Sequence, residues 1–137
     1  MNTTTIETTI NASTQKVWDM WTLPEHITGW AFASDEWTCP RAENDIRKDG
    51  RFLTRMETKD GSEGFDFTGV YTEVTPLSSI SYTMDDGRTV SVLFGKVSEG
   101  ETKVIETFEM ESENSEELQR AGWESILNNF KKYVESN

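Results

Sequence analysis

Apolar side chains recur at spacings of three and four near the end of the chain: Trp123, Ile126, Leu127, Phe130, Tyr133 and Val134. That period places them on one face of an α-helix running from Ser115 to Val134. Glu116, Glu117, Glu124, Asn128, Lys131 and Lys132 fall mostly on the other face. Asn114 is the expected N-cap, with Glu117 placed to reach back to it. Glutamates near the start and lysines near the end complement the helix dipole. About twenty residues make a rod of roughly 30 Å. Gly122 interrupts the rod, at about 1 kcal/mol relative to Ala, and is expected to let a neighbouring element approach closely.

Upstream the period changes to two. Thr3 to Asn11, rich in Thr and Ile, predicts a first strand. Ser13 then caps a short helix carrying Val17, Trp18 and Trp21. Thr22, Pro24 and Glu25 predict a second helix reaching about Gly29, with Thr22 as cap. Strands are expected from Trp37 to Asp45, through Phe52, Thr54 and Met56, from Phe65 to Val74, through Ile80, Tyr82 and Met84, from Val90 to Val97, and from Val104 to Met110. Pro40 restricts the first of these to an edge or a bulge. Turns at Lys48-Asp49-Gly50, Lys59-Asp60-Gly61, Asp85-Asp86-Gly87 and Glu99-Gly100-Glu101 separate them. Sequential strands with short turns imply an antiparallel meander with one dry face, which the long helix must cover. In the strand from Phe65, Phe67, Gly69 and Tyr71 share one face and Val70 and Val74 the other; the pattern does not say which faces the helix. The fold class is α+β: a curved antiparallel sheet around a long C-terminal helix, with two short helices after the first strand.

A length of 137 residues is expected to form one domain, residues 1–137. The formal charge of −12 argues against binding nucleic acid or anionic membranes. One cysteine, Cys39, leaves no intramolecular disulfide. No signal peptide or transmembrane run is visible, so a cytoplasmic protein is expected. One His and one Cys far apart offer no metal-ligand spacing, and no EF-hand pattern or phosphate-cradling glycine motif is present. Neither metal nor cofactor is expected, and no catalytic constellation stands out. An acid/base pair, if there is one, must come from His26, Asp66 and Glu106. Arg55 is expected on the outer face in a cross-strand ion pair.

Short motifs then recur in a telling order. They are Val17-Trp18, Pro24-Glu25 and Trp30, then Asp49-Gly50-Arg51-Phe52, then Gly69-Val70-Tyr71-Thr72-Glu73-Val74-Thr75-Pro76. Ile80-Ser81-Tyr82-Thr83 and Gly122-Trp123 complete the set. This chain resembles, over nearly its whole length, the helix-grip superfamily of START lipid-binding domains and birch-pollen-type allergens. Within that superfamily it is similar to the branch named for the activator of heat-shock-protein ATPase (Aha-type). One departure is that Asp49-Gly50 stands where the family commonly has paired glycines.

The resemblance implies a cavity between sheet and long helix. Relatives in the wider superfamily hold lipids, steroids or polyketides there, some are cyclases or hydratases, and the eponymous activator binds a chaperone. The expected function is therefore a non-catalytic binding domain for a small apolar or amphipathic molecule. Its expected lining is Trp18, Trp30, Phe52, Met56, Tyr82, Phe94, Trp123 and Phe130. The alternatives are a chaperone-binding module and, third, a cyclase- or hydratase-type enzyme. Monomer and homodimer both remain open.

Overall fold

The computed structural model describes residues 2–137. Its elements are β1 (Thr3–Ile10), α1 (Thr14–Thr22), α2 (Pro24–Ile27), β2 (Trp37–Asn44), β3 (Arg51–Thr58), β4 (Gly64–Thr75), β5 (Ser79–Met84), β6 (Thr89–Ser98), β7 (Glu101–Glu109) and α3 (Glu116–Glu135). The seven strands form one antiparallel sheet in the order β1-β7-β6-β5-β4-β3-β2. It curls into a half-barrel around α3. Strands β2 to β7 are a plain meander, each hydrogen-bonded to the next. Only β1 departs from it: it pairs with β7 at one edge, and α1 and α2 carry the chain from there to β2 at the other.

Period-two alternation decides which side chains face the helix. Thr102, Val104, Glu106 and Phe108 of β7 are buried while their neighbours are partly exposed. Val90, Val92 and Phe94 of β6 and Ile80, Tyr82 and Met84 of β5 continue the same concave face. In β4 that face belongs to Phe67, Gly69 and Tyr71. The register then shifts between Tyr71 and Glu73, so Val74 joins the core after the irregularity. Gly69 is needed for close approach: a Cβ there would lie 2.8 Å from the Phe52 ring and 2.7 Å from the Thr83 carbonyl oxygen. Pro40 lies on the edge strand β2, within the register shift between Thr38 and Arg41, where its missing N–H breaks no ladder.

Two expected caps are corrected. Ser115, not Asn114, caps α3, its Oγ accepting from the Leu118 amide at 3.2 Å. The Asn114 backbone and side-chain amides are instead occupied, both donating to Glu111 Oε1. Thr22 is the buried last residue of α1, its hydroxyl donating to the Trp18 carbonyl at 2.8 Å. The second helix begins at Pro24, behind Leu23, without a side-chain cap, and ends at Ile27. Ser13 caps α1 as expected, accepting from the Lys16 amide.

The long helix is tied by hydrogen bonds to the rest of the fold near its C-terminus. Lys131 Nζ donates to the Thr9 carbonyl at 2.8 Å, and Glu135 accepts from the Asn11 amide at 2.9 Å. Asn129 Nδ2 reaches the Trp30 carbonyl at 2.9 Å. At the other end, Gln119 bonds only to Glu111 and Asn114 of the preceding loop. A Cβ on Gly122 would meet nothing within 4 Å. The close approach expected there does not occur; the position faces open space.

Candidate functional site

A cavity of about 290 Å³ lies between the sheet and α3. β2 to β5 and β7 supply its floor, α2 and the following turn one wall, and Trp123, Ile126 and Leu127 of α3 its roof. A more open groove lies beside it and shares Met56, Phe65, Arg88, Trp123 and Ile126 with it. Phe32, Trp37, Leu118 and Gly122 border that groove.

Five of the eight residues expected to line a cavity border this one: Trp30, Phe52, Met56, Tyr82 and Trp123. Trp18, Phe94 and Phe130 lie elsewhere, in a filled cluster where α1 meets the sheet and the C-terminal half of α3. Trp18 stands edge-on to Phe94 at 5.3 Å, and Trp21 and Trp30 stand edge-on to Phe130 at 4.9 and 4.7 Å. Edge-to-face rings at such distances pack as a solid core. Trp30 serves both regions, and its indole N–H is held by the Met20 carbonyl at 2.8 Å. Around the cavity, Phe52 contacts Tyr82 and Phe67 edge-on at 4.9 and 5.3 Å, and Trp123 stacks flat on Phe108 at 4.3 Å.

Few polar groups border the cavity, and most have partners. The Tyr71 hydroxyl donates to Asn44 Oδ1. Arg88 is paired with Asp86 at 2.8 Å, and Glu43 with Arg41. The Thr54 and Tyr82 hydroxyls make no hydrogen bond among the described residues, and Glu106 is the lining acid without a partner. It is 5% exposed, and its carboxyl makes no hydrogen bond or ion pair among the described residues. Burial pushes it up to about 8 from an ordinary value of 4.5, with no neighbouring cation to oppose the shift. Burial also raises the Tyr82 hydroxyl, and the Glu106 charge adds to that.

A sequence model of the family described as "Activator of Hsp90 ATPase homolog 1-like protein" matches residues 11–135. The chain belongs to this Hsp90 ATPase activator-like family. The solution structure of an AHSA1-like protein from Aeromonas hydrophila is 42% identical, with a TM-score of 0.93, covering 98% of this chain and 93% of that one. A solution structure from Cytophaga hutchinsonii is 46% identical with a TM-score of 0.82, covering 97% and 92%. A crystal structure from Chromobacterium violaceum, at 21% identity and a TM-score of 0.86, covers 98% and 99% and shows the same fold. No curated protein matches the sequence.

For this activator-like chain, the Asp49-Gly50 departure has a structural account. Asp49 adopts a left-handed φ of 69°, a conformation that Asp tolerates better than most residues. At Gly50 a Cβ would fall 2.1 Å from the Asp45 carbonyl oxygen, so a side chain is excluded there. Of the three acid/base candidates, only Glu106 borders the cavity. His26 Nδ1 is hydrogen-bonded to the Tyr133 hydroxyl at 2.7 Å, and Asp66 lies on the outer face, 3.3 Å from Arg55. No acid/base pair is assembled from that trio. Arg55 makes the expected cross-strand ion pair, and also contacts Glu57. Among the described residues no group of His, Cys, Asp and Glu could hold a metal, and no helix is long and apolar enough to cross a membrane.

The lining also includes residues absent from the expected set, notably Trp21, Phe67, Tyr71 and Glu106. For Glu106 a signal existed. It takes an inward place between Val104 and Phe108, where alternation calls for an apolar residue.

Proposed function

We propose that this activator-like chain is a non-catalytic binding domain whose cavity takes one small apolar or amphipathic molecule. The observation that carries the reading is the concave, aromatic space of about 290 Å³ beneath Trp123, Ile126 and Leu127 of α3. Well-packed interiors hold few voids larger than a water molecule, whereas ligand sites are concave and apolar with a few placed polar groups. Trp30, Phe52, Met56, Tyr82 and Trp123 would hold the apolar body. The test is native mass spectrometry of the protein purified from its own host, before and after solvent extraction. A bound mass that disappears on extraction is expected. A bare protein mass in every preparation, with no uptake of added apolar compounds, counts against the reading.

The family description supports a second reading, in which the chain engages a chaperone ATPase. The net charge of −12 favours a basic surface on such a partner.

A further inference from the structure

We propose that the molecule this cavity takes is an amphiphilic amine, its ammonium paired with the Glu106 carboxylate and its apolar body against the surrounding rings. The inference rests on the cavity being a ligand site and names the chemical class it selects.

The argument starts from an unmet requirement. A buried carboxyl group is normally satisfied by hydrogen bonds or a cation, because solvation lost on burial must be replaced. Glu106 is nine-tenths buried on the concave face of β7, and nothing among the described residues bonds to it. Its register partners on either side are Ile6 of β1 and Val92 of β6, both buried and apolar. Every buried side-chain nitrogen or oxygen sealed from all space has a partner, so the Glu106 oxygens open onto the cavity they border. An occupant of the cavity can supply the partner that Glu106 lacks within the chain.

The surroundings favour a cation over a neutral group. α3 presents Trp123, Ile126 and Leu127 to the cavity, and α2 presents Ile27, none of them ionisable. Tyr82 of β5 and Tyr71 of β4 are neutral hydroxyls, both held protonated by burial. The two charged lining groups, Arg88 and Glu43, are neutralised by Asp86 and Arg41. Glu106 is thus the ionisable lining group left without an ionic partner among the described residues. The faces of Trp, Tyr and Phe rings attract an ammonium further. The charge of −12 also raises the local concentration of cations.

Binding releases a proton. Neutral Glu106 and a protonated amine become a carboxylate–ammonium pair, and the Glu106 proton passes to solvent. Amine affinity should therefore rise with pH until Glu106 is ionised in the free protein.

Three probes with one apolar body separate the possibilities: 4-phenylbutylamine, 4-phenylbutan-1-ol and 4-phenylbutyrate. Each is titrated calorimetrically into the full chain and into its Glu106→Gln and Glu106→Asp variants, with folding checked by circular dichroism. At pH 8 the amine should bind at least about ten-fold more tightly than the alcohol in the unaltered protein. Glu106→Gln should abolish that preference, while Glu106→Asp should retain one. Amine affinity should rise roughly fifty-fold from pH 6 to pH 8, by proton linkage to a group at about 8, with the alcohol flat. Equal affinity for amine and alcohol, tightest binding of the carboxylate, or a preference that survives Glu106→Gln would overturn the assignment and leave the cavity reading standing. Saturating binding by none of the three probes would remove both.

Discussion

A carboxyl group held neutral inside a protein makes folding depend on pH in a direction opposite to that of a salt-bridged acid. In the folded chain Glu106 loses its proton at about 8, against about 4.5 when unfolded. Between those values the folded state holds a proton that the unfolded state has released, so stability falls as pH rises. The contribution of Glu106 is most favourable below 4.5 and is lost as pH passes through 8. Glu106→Gln keeps the shape and removes the titration. The variant should match the parent near pH 4.5 and exceed it at pH 8 by on the order of a few kcal/mol. Urea unfolding of both at several pH values reads the difference, in which acids common to the two chains cancel; parallel curves would sink the account. The same residue shows what alternation leaves unread. It places Glu106 on a face, but not beneath a void, since depth depends on where α3 lies.

The elements were the most legible level. Seven strands and the long helix follow from periods of 2 and 3.6 together with turn residues, because each hairpin is local and each burial pattern repeats. What the pattern could not separate was lining from filling. Trp18, Phe94 and Phe130 share the inward character of Trp30 and Phe52, and differ only in lying where α3 is clamped against β1 and α1. That difference along one helix can be measured. Phe130→Ala, at a fully buried site, should cost about 3–5 kcal/mol. Trp123→Ala, beside the cavity, should cost distinctly less than that range. Gly122→Ala should stabilise by up to about 1 kcal/mol, since the new methyl group meets nothing. Thermal unfolding of the three variants decides it. Equal losses at Trp123 and Phe130 would mean that α3 is packed alike at both ends.

For the whole molecule, charge sets the terms of any encounter with a macromolecule. If the chain stimulates a chaperone ATPase through its acid-rich surface, the stimulation should fall steeply between low and moderate salt, as charges farther apart than about 10 Å become screened. ATPase assays across a salt series read this; stimulation indifferent to salt, or none, would count against the chaperone reading. The overall wrap was less legible than its parts, because β1 pairs with β7 across a sequence distance that no local pattern spans. The register joins Thr3 to Glu109 and Ile10 to Thr102, and the same edge then receives the end of α3 through Thr9 and Asn11. Consequently β1, the earliest strand of the sheet in chain order, must wait for β7, the latest, before its ladder can form. Until then its Thr- and Ile-rich backbone is an unpaired template, and closing so large a loop delays the final step. The edge of β7 that receives β1 is therefore open to wrong pairings until the two strands meet.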